Sequence, residues 1–255
     1  MVHYSKEEIE RTFECVGIKK GDDVFLHTNL GFFGICEGVK SADELCQVFY
    51  SSLRRIIGDE GTIIVPTFTY SSCHKEPFDP RVTPCNMGMF SDYIWKLPET
   101  IRSVDPNFSI AAIGNRAKFY TENPPQKSFG DDCFFERFYA NNGIICNLNF
   151  DAGTTFVHYV EHKLNVPYRY DKKFIGQVYV DCEWQERVSY HFVFDKPENA
   201  PCFDRLHDLV MKNGVAKTHK LGRGIVLAER SSDIFDFIRD TMQKRPRFLL
   251  KEENI

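Results

Sequence analysis

The chain has 255 residues, of which 42% are apolar, 27% charged and 14% aromatic; this excludes a disordered or collagen-like polymer and is enough to bury a full core. With a formal charge of -4 and no Lys/Arg block longer than two residues, a nucleic-acid partner is not supported. Apolar runs such as Gly143 to Leu148 fall far short of the roughly 18 residues of a membrane span, and the acidic start is unlike a signal peptide, so the chain reads as cytoplasmic with no membrane partner. Nine cysteines, an odd number without any C-x-x-C, suggest reduced thiols rather than a disulfide framework or a thiolate zinc site.

Ser5-Lys6-Glu7-Glu8 is a capping box, followed by Ile9, Phe13 and Val16 at helical spacing and stopped by Gly17. Val24 to His27 reads as a buried strand, Thr28 to Gly34 as a glycine-dotted loop, and Ser41 to Glu44 as a second box opening a helix that Gly58 ends. Thr62 to Val65 supplies the next strand, with Pro66 marking where pairing should cease. Ile110 to Ile113 and Ile144 to Leu148 are further strands beside helical stretches, which predicts an α/β fold with a largely parallel sheet covered by helices. Phe174 to Asp181 and Arg187 to Phe194 predict an antiparallel hairpin with the longer turn Cys182 to Glu186. A helix from Phe203 to Asn213, a strand from Ile225 to Ala228 and a last helix capped by Ser231-Ser232-Asp233 complete the chain. No linker or repeat is visible, so residues 1–255 read as one domain with a hairpin excursion at about 174–194.

The densest chemistry lies in Asp151 to His162, just after a strand, with a helix expected to open near Gly153 or Thr154. On a helix His158, Glu161 and His162 share one face within a turn. Three readings stand side by side. The residues can be ordinary half-buried and solvated helix positions. The run His158-Tyr159-Val160-Glu161-His162 also matches the H-x-x-E-H zinc hydrolase pattern, with Glu198 or Glu229 as a third ligand. In the third, neutral His158 is a general base that Glu161 orients and whose imidazolium it stabilises. A cysteine nucleophile would need a thiol beside His158; Cys36, Cys85 and Cys146 are candidates on or near loops, against the alternative of buried core thiols.

The ordered segments Val24 to Leu30, Gly58 to Thr69, Phe78-Asp79-Pro80, Thr83-Pro84, Met87-Gly88, Arg102-Ser103 with Pro106 and Ser109, Ala112-x-Gly114 and Asp151 to Glu161 together resemble the aminoglycoside 3-N-acetyltransferase family. The resemblance spans roughly residues 20 to 240. It implies acetyl-CoA as co-substrate, no metal, direct transfer to an amine, His158 and Glu161 as the catalytic pair, and a coenzyme-contacting loop formed by His27, Thr28, Asn29, Leu30, Gly31, Phe32, Phe33 and Gly34. It also implies that Thr67, Thr69, Arg102, Ser103 and Ser109 line the coenzyme cleft. Where many members carry His-Pro after Arg-Ser, this chain has Val104-Asp105-Pro106.

Aminoglycosides are polycations and call for an acidic cleft. Here Lys+Arg 32 against Asp+Glu 36 shows no such bias, and the stretch Tyr168 to Phe174 mixes cationic and aromatic residues. Asp151, Tyr168, Arg169 and Lys172 are therefore assigned to the substrate, and a nucleotide-linked amino sugar is the expected acceptor, with an aminoglycoside as the alternative. The subunit count, a homo-oligomer included, is left open by the sequence.

Overall fold

The computed structural model describes residues 2–252. Glu8 N donates to Ser5 Oγ at 3.3 Å and Ser5 N to Glu8 Oε2 at 2.7 Å, so the first box closes and opens α1 (Lys6–Cys15). β1 (Asp23–Thr28) is almost wholly buried, a 3-10 turn follows at Leu30–Phe33, and Ser41 caps α2 (Ala42–Ile57). β2 (Thr62–Pro66), α3 (Ser71–His74), α4 (Met89–Trp95), β3 (Ile101–Arg102), β4 (Ile110–Gly114), α5 (Ala117–Thr121) and α6 (Phe134–Ala140) lead to β5 (Ile144–Leu148) and α7 (Phe156–Lys163). The hairpin β6 (Arg169–Val180) and β7 (Glu183–Phe194), then α8 (Phe203–Lys212), β8 (Lys217–Leu221), β9 (Gly224–Arg230) and α9 (Ser231–Lys244) close the described chain.

The strands β3-β4-β2-β1-β5-β9-β8 form one sheet in that order. β1 pairs in parallel with β2 and β5, while the outer pairings are antiparallel. This is the predicted α/β sheet, parallel at its centre, with the hairpin standing apart as a second, two-stranded sheet. Alternate residues of the central strands feed two cores. Val24, Leu26, Ile144 and Cys146 pack with α1 and α2, whereas Phe25 and Ile145 pack with α6, α7 and α9 on the other face.

Several elements depart from expectation for identifiable reasons. The hairpin turn is two residues long, Asp181-Cys182 with φ 51° and 67°, so both strands run longer than predicted and Val180 faces Glu183. Two positive φ values make this the hairpin turn usually written with Asn-Gly, and Cys182 conceals it. Pairing toward β1 has already ended at Ile64, before Pro66; toward β4 it continues, with Thr67 N donating to Ser109 O at 2.9 Å. Since Thr67 N points to β4, the N–H that Pro66 lacks falls on the edge already released by β1. Ser231 is not a cap but a buried residue of the first turn of α9, whose amides are met by Gly143 O and Asn142 Oδ1. β8 is missed by sequence because Lys217-Thr218-His219-Lys220 carries no apolar run and lies mostly exposed at the sheet edge.

Candidate active site

β5 ends at Leu148, and the following loop is tied down before α7 begins. Asn147 Nδ2 donates to Asp151 O at 2.9 Å, and Ala152 N donates to His207 Nδ1 at 3.3 Å. Gly153 lies against Phe203, where a Cβ would come within 2.3 Å of that side chain. A turn closed by Thr154 N to Ala152 O uses up Gly153 and Thr154, so the helix starts at Phe156, later than predicted. Phe156, Val157, Tyr159 and Val160 bury against the sheet. That face sets His158 and Glu161 side by side.

His158 Nδ1 stands 2.8 Å from Glu161 Oε2. Because the ionised carboxylate only accepts, the contact calls for a proton on Nδ1, and in the neutral form of the ring that leaves the lone pair on Nε2. Glu161 is 1% exposed. Its other oxygen accepts from Tyr168 Oη at 3.0 Å, and Arg169 Nε lies 3.0 Å from Oε2 as an ion-pair contact whose N–H is not aimed at the oxygen. Burial pushes the Glu161 carboxyl up, but the hydrogen bond and charge of His158, the Arg169 charge and the Tyr168 hydrogen bond together hold it below its ordinary range. Arg169 is itself fixed by Phe192 O at 3.2 Å and by the Phe194 ring, 3.7 Å below its guanidinium carbon.

Tyr168 and the Arg169 side chain, which is 5% exposed, were expected to face substrate and instead lie behind the dyad, while Lys172 and Asp151 are exposed. His162 turns away from His158 toward Asp171 Oδ2 at 3.3 Å, an oxygen that Lys127 also holds at 2.8 Å. The two imidazoles of the H-x-x-E-H run therefore serve different carboxylates. Glu229 sits in a separate cavity with Lys19 and Lys217, Glu198 is exposed after the hairpin, and among the described residues no three metal-ligating side chains converge. The zinc reading lacks its third ligand. Of the candidate thiols, Cys36 and Cys146 belong to the core on the face opposite α7, Cys85 is buried under Pro66 O, and burial raises all three. Such thiols are poor nucleophiles.

The residues expected at the coenzyme divide into two groups. His27 and Thr28 end β1, Asn29 caps the 3-10 turn that Leu30 and Phe33 anchor in the core, and Gly31 and Phe32 face solvent. Gly34 has φ 93° and a Cβ there would sit 2.8 Å from His3, so glycine is required. Thr67, Arg102, Ser103 and Ser109 instead brace the fold. Arg102 Nε donates to Thr67 Oγ1 at 3.1 Å and Nη2 to Thr67 O at 2.9 Å, Ser109 Oγ donates to Thr67 O at 2.6 Å, and Ser103 Oγ accepts from Ile110 N at 3.0 Å. Thr69 Oγ1 donates to Pro106 O at 2.9 Å. Asp105, the departure from the family pattern, is buried and accepts from Asn107 N, Phe108 N and Ser128 Oγ.

Near this end of the sheet His27, already singled out, meets polar groups that escaped the sequence. His27 and Asn147 are register partners on β1 and β5. Both ring nitrogens of His27, Asn147 Oδ1 and Thr154 Oγ1 are buried without a hydrogen-bond partner among the described residues. Burial lowers the His27 pKa to about 4, against a smaller pull from Asn147. Cys73 Sγ lies 3.5 Å from His191 Nδ1, whose ring packs on Phe108, and Phe108 packs on Phe129, which in turn meets His158. Residues 118 apart leave no local signal of such a contact.

The structure is thus an α/β protein, a helix-covered mixed sheet with a histidine–glutamate pair on the helix after a central strand, the end of the sheet where such folds gather ligands. Residues 25–243 match the aminoglycoside 3-N-acetyltransferase family, and the chain belongs to that family of acyl-CoA-dependent N-acetyltransferases. It is 33% identical over 170 residues to aminoglycoside N(3)-acetyltransferase IV of Salmonella sp, a match covering 65% of this chain and 61% of that protein. It is 25% identical over 190 residues to a prophage-derived aminoglycoside N(3')-acetyltransferase-like protein of Bacillus subtilis (strain 168), covering 65% and 66%. Matching stretches thus span less than two thirds of these two relatives. The fold is that of AAC-IIIb, solved as a binary complex with CoASH, at a TM-score of 0.82 and 18% identity, covering 97% of this chain and 98% of that one.

These relatives overturn the expectation of a nucleotide-linked amino sugar, since they are aminoglycoside acetyltransferases or like them. The charge argument behind it fails on geometry. Arg169 is spent on Glu161 inside the protein, and the stretch from Arg169 is a strand rather than a cationic loop.

Proposed function

We propose that the chain transfers the acetyl group of acetyl-CoA to an amine of an aminoglycoside, with His158 as general base. The observation that carries the proposal is the His158–Glu161 contact of 2.8 Å in a chain of this family. His158 Nε2 takes a proton from the amine as its nitrogen bonds to the thioester carbonyl carbon. The C–S bond then breaks, and the leaving thiolate takes from the imidazolium the proton that the amine gave up. Glu161 keeps Nδ1 protonated and offsets the positive charge that the ring gains in between. Tyr168 and Arg169 act through Glu161 as positioning residues. The loop from His27 to Gly34 contacts the coenzyme, and Thr67, Arg102, Ser103 and Ser109 hold the neighbouring strand ends in place.

Purified protein assayed with acetyl-CoA and a panel of aminoglycosides is expected to release free thiol only when an aminoglycoside is present, with one acetyl group found on the product. Mapping of the product by nuclear magnetic resonance is expected to place that group on the 3-amine. A full panel without amine-dependent thiol release would overturn the reading.

A further inference from the structure

We infer that a second ligand site lies at the end of the sheet away from the dyad, where Glu229 lines a cavity of about 170 Å³ that fits a short aliphatic ω-amino acid, its ammonium on Glu229 and its carboxylate at Lys19 and Lys217. Glu229 pairs with Ile145 near the start of β5, whereas α7 and the dyad follow the end of that strand. The site is therefore separate from the acetyl-transfer chemistry.

The floor of the cavity calls for a cation. Glu229 is 4% exposed, and neither of its carboxyl oxygens has a hydrogen-bond partner among the described residues. A buried carboxylate in that state either gives up its charge or takes a cationic partner. Burial first, and the Asp233 charge second, raise its carboxyl to about 8, as the want of a partner requires. Arg230, the neighbouring cation, is already spent, its Nη1 donating to Asp22 Oδ1 at 2.9 Å and to Asn142 O at 3.2 Å. A metal ion does not fit, because among the described residues no three metal-ligating side chains converge and Val16, Ile144, Val215 and Ala228 make much of the lining apolar. An ammonium on a methylene chain meets both demands, with N–H donors for the two empty oxygens and CH₂ groups for the walls.

The rim calls for an anion. Lys19 and Lys217 line the cavity, are exposed, and form no ion pair among the described residues. Gly17 leaves room for one of them, since a Cβ there would come 3.1 Å from Lys217 Nζ. Asp22 is not free to answer Lys19, because its Oδ2 accepts from the Lys19 backbone N at 2.7 Å and its Oδ1 from Arg230. Asp233, exposed in the first turn of α9, adds to the pull on the ammonium. Lys19 after α1, Lys217 on β8, Arg230 ending β9 and Asp233 on α9 are the charged groups that share the cavity with Glu229. An α-amino acid is unsuited to this arrangement, since a carboxylate one carbon from the ammonium would be drawn into the dry floor against Glu229. An ω-amino acid keeps its two charges apart.

5-Aminopentanoate titrated calorimetrically into the whole protein, without acetyl-CoA, tests the site independently of turnover. It is expected to bind once per chain with a dissociation constant of about a millimolar or tighter. Binding is expected to be at least about tenfold tighter at about pH 8.5 than at about pH 6.5, because Glu229 must lose its proton before the ammonium pairs with it. Glu229→Gln is expected to remove that pH dependence and to weaken binding at the higher pH at least about tenfold. Lys217→Gln, at an exposed position, is expected to weaken 5-aminopentanoate about threefold to fivefold and to leave pentylamine unaffected. Should Glu229→Gln fail to fold, the pH profile of the parent and the Lys217 variant decide the matter. No saturable binding, or affinity unchanged in folded Glu229→Gln, overturns the site. Pentanoate bound as tightly, with affinity falling as pH rises, makes Glu229 a neutral acid donating to a carboxylate and overturns it too. Pentylamine bound as tightly as 5-aminopentanoate takes the lysines out of the site and with them the amino acid.

Discussion

Tyr168 Oη donates to Glu161 Oε1 at 3.0 Å, deep enough that both side chains are almost wholly out of water. The carboxylate is thereby held at both oxygens, by Tyr168 on one and by His158 and Arg169 on the other. A buried anion needs such partners, because an unmet acceptor costs about 1–3 kcal/mol and an uncompensated charge more.

Tyr168→Phe removes one donor and leaves the phenyl ring in its packing. It is expected to lower stability by about 1–3 kcal/mol and kcat by about tenfold, with little change in the KM for acetyl-CoA. Arg169→Gln is expected to be harsher, costing about 3–5 kcal/mol in denaturant unfolding. Parent-like stability and kcat in both variants would show that Glu161 needs neither neighbour.

His158→Asn is expected to lower kcat by about 100-fold or more while acetyl-CoA affinity, read by calorimetry, stays close to that of the parent. Glu161→Gln is expected to lose less, since it orients rather than accepts the substrate proton. A His158 variant within about threefold of the parent would remove the histidine from the reaction.

The dyad was legible because both members lie three residues apart on one helix, and local spacing survives folding unchanged. The capping serines at Ser5 and Ser41 and the strand from Ile144 were legible for the same reason. The brace of Tyr168 and Arg169 was not, because it arises only when the strand after α7 folds back along that helix. Sequence therefore read two interior residues as a substrate surface. The bracing by Arg102 and Ser109 was hidden similarly: family motifs mark these residues, but their hydrogen bonds to Thr67 exist only once β2, β3 and β4 align. The pairing of His27 with Asn147 is likewise created by the parallel ladder and has no local signature.

Direct transfer through a ternary complex is the prediction that the burial of the three candidate thiols supports. Cys36, Cys85 and Cys146 are buried, and their thiols are raised by that burial. Alanine at each position singly is expected to leave turnover largely unchanged, and initial-rate plots are expected to intersect. Parallel plots with an isolable acetyl-cysteine would instead require a covalent intermediate.

His27 gives the pH dependence of stability a defined window. Its imidazole is held neutral by burial, with a pKa lowered from 6.5 to about 4. Between those values the unfolded chain binds the proton more readily than the folded one, so stability is full above the unfolded pKa and is lost as pH falls from 6.5 through about 4. The full shift is worth about 3 kcal/mol. Glu229 pulls the other way: burial raises its carboxyl from 4.5 to about 8, so its contribution falls as pH rises through that range. The His27 share is therefore read as a difference, by denaturant unfolding of the parent and of His27→Gln at about pH 7 and about pH 4. The variant is expected to lose less stability than the parent on acidification, by about 3 kcal/mol. Parallel loss in the two proteins would mean that His27 takes up its proton as readily folded as unfolded.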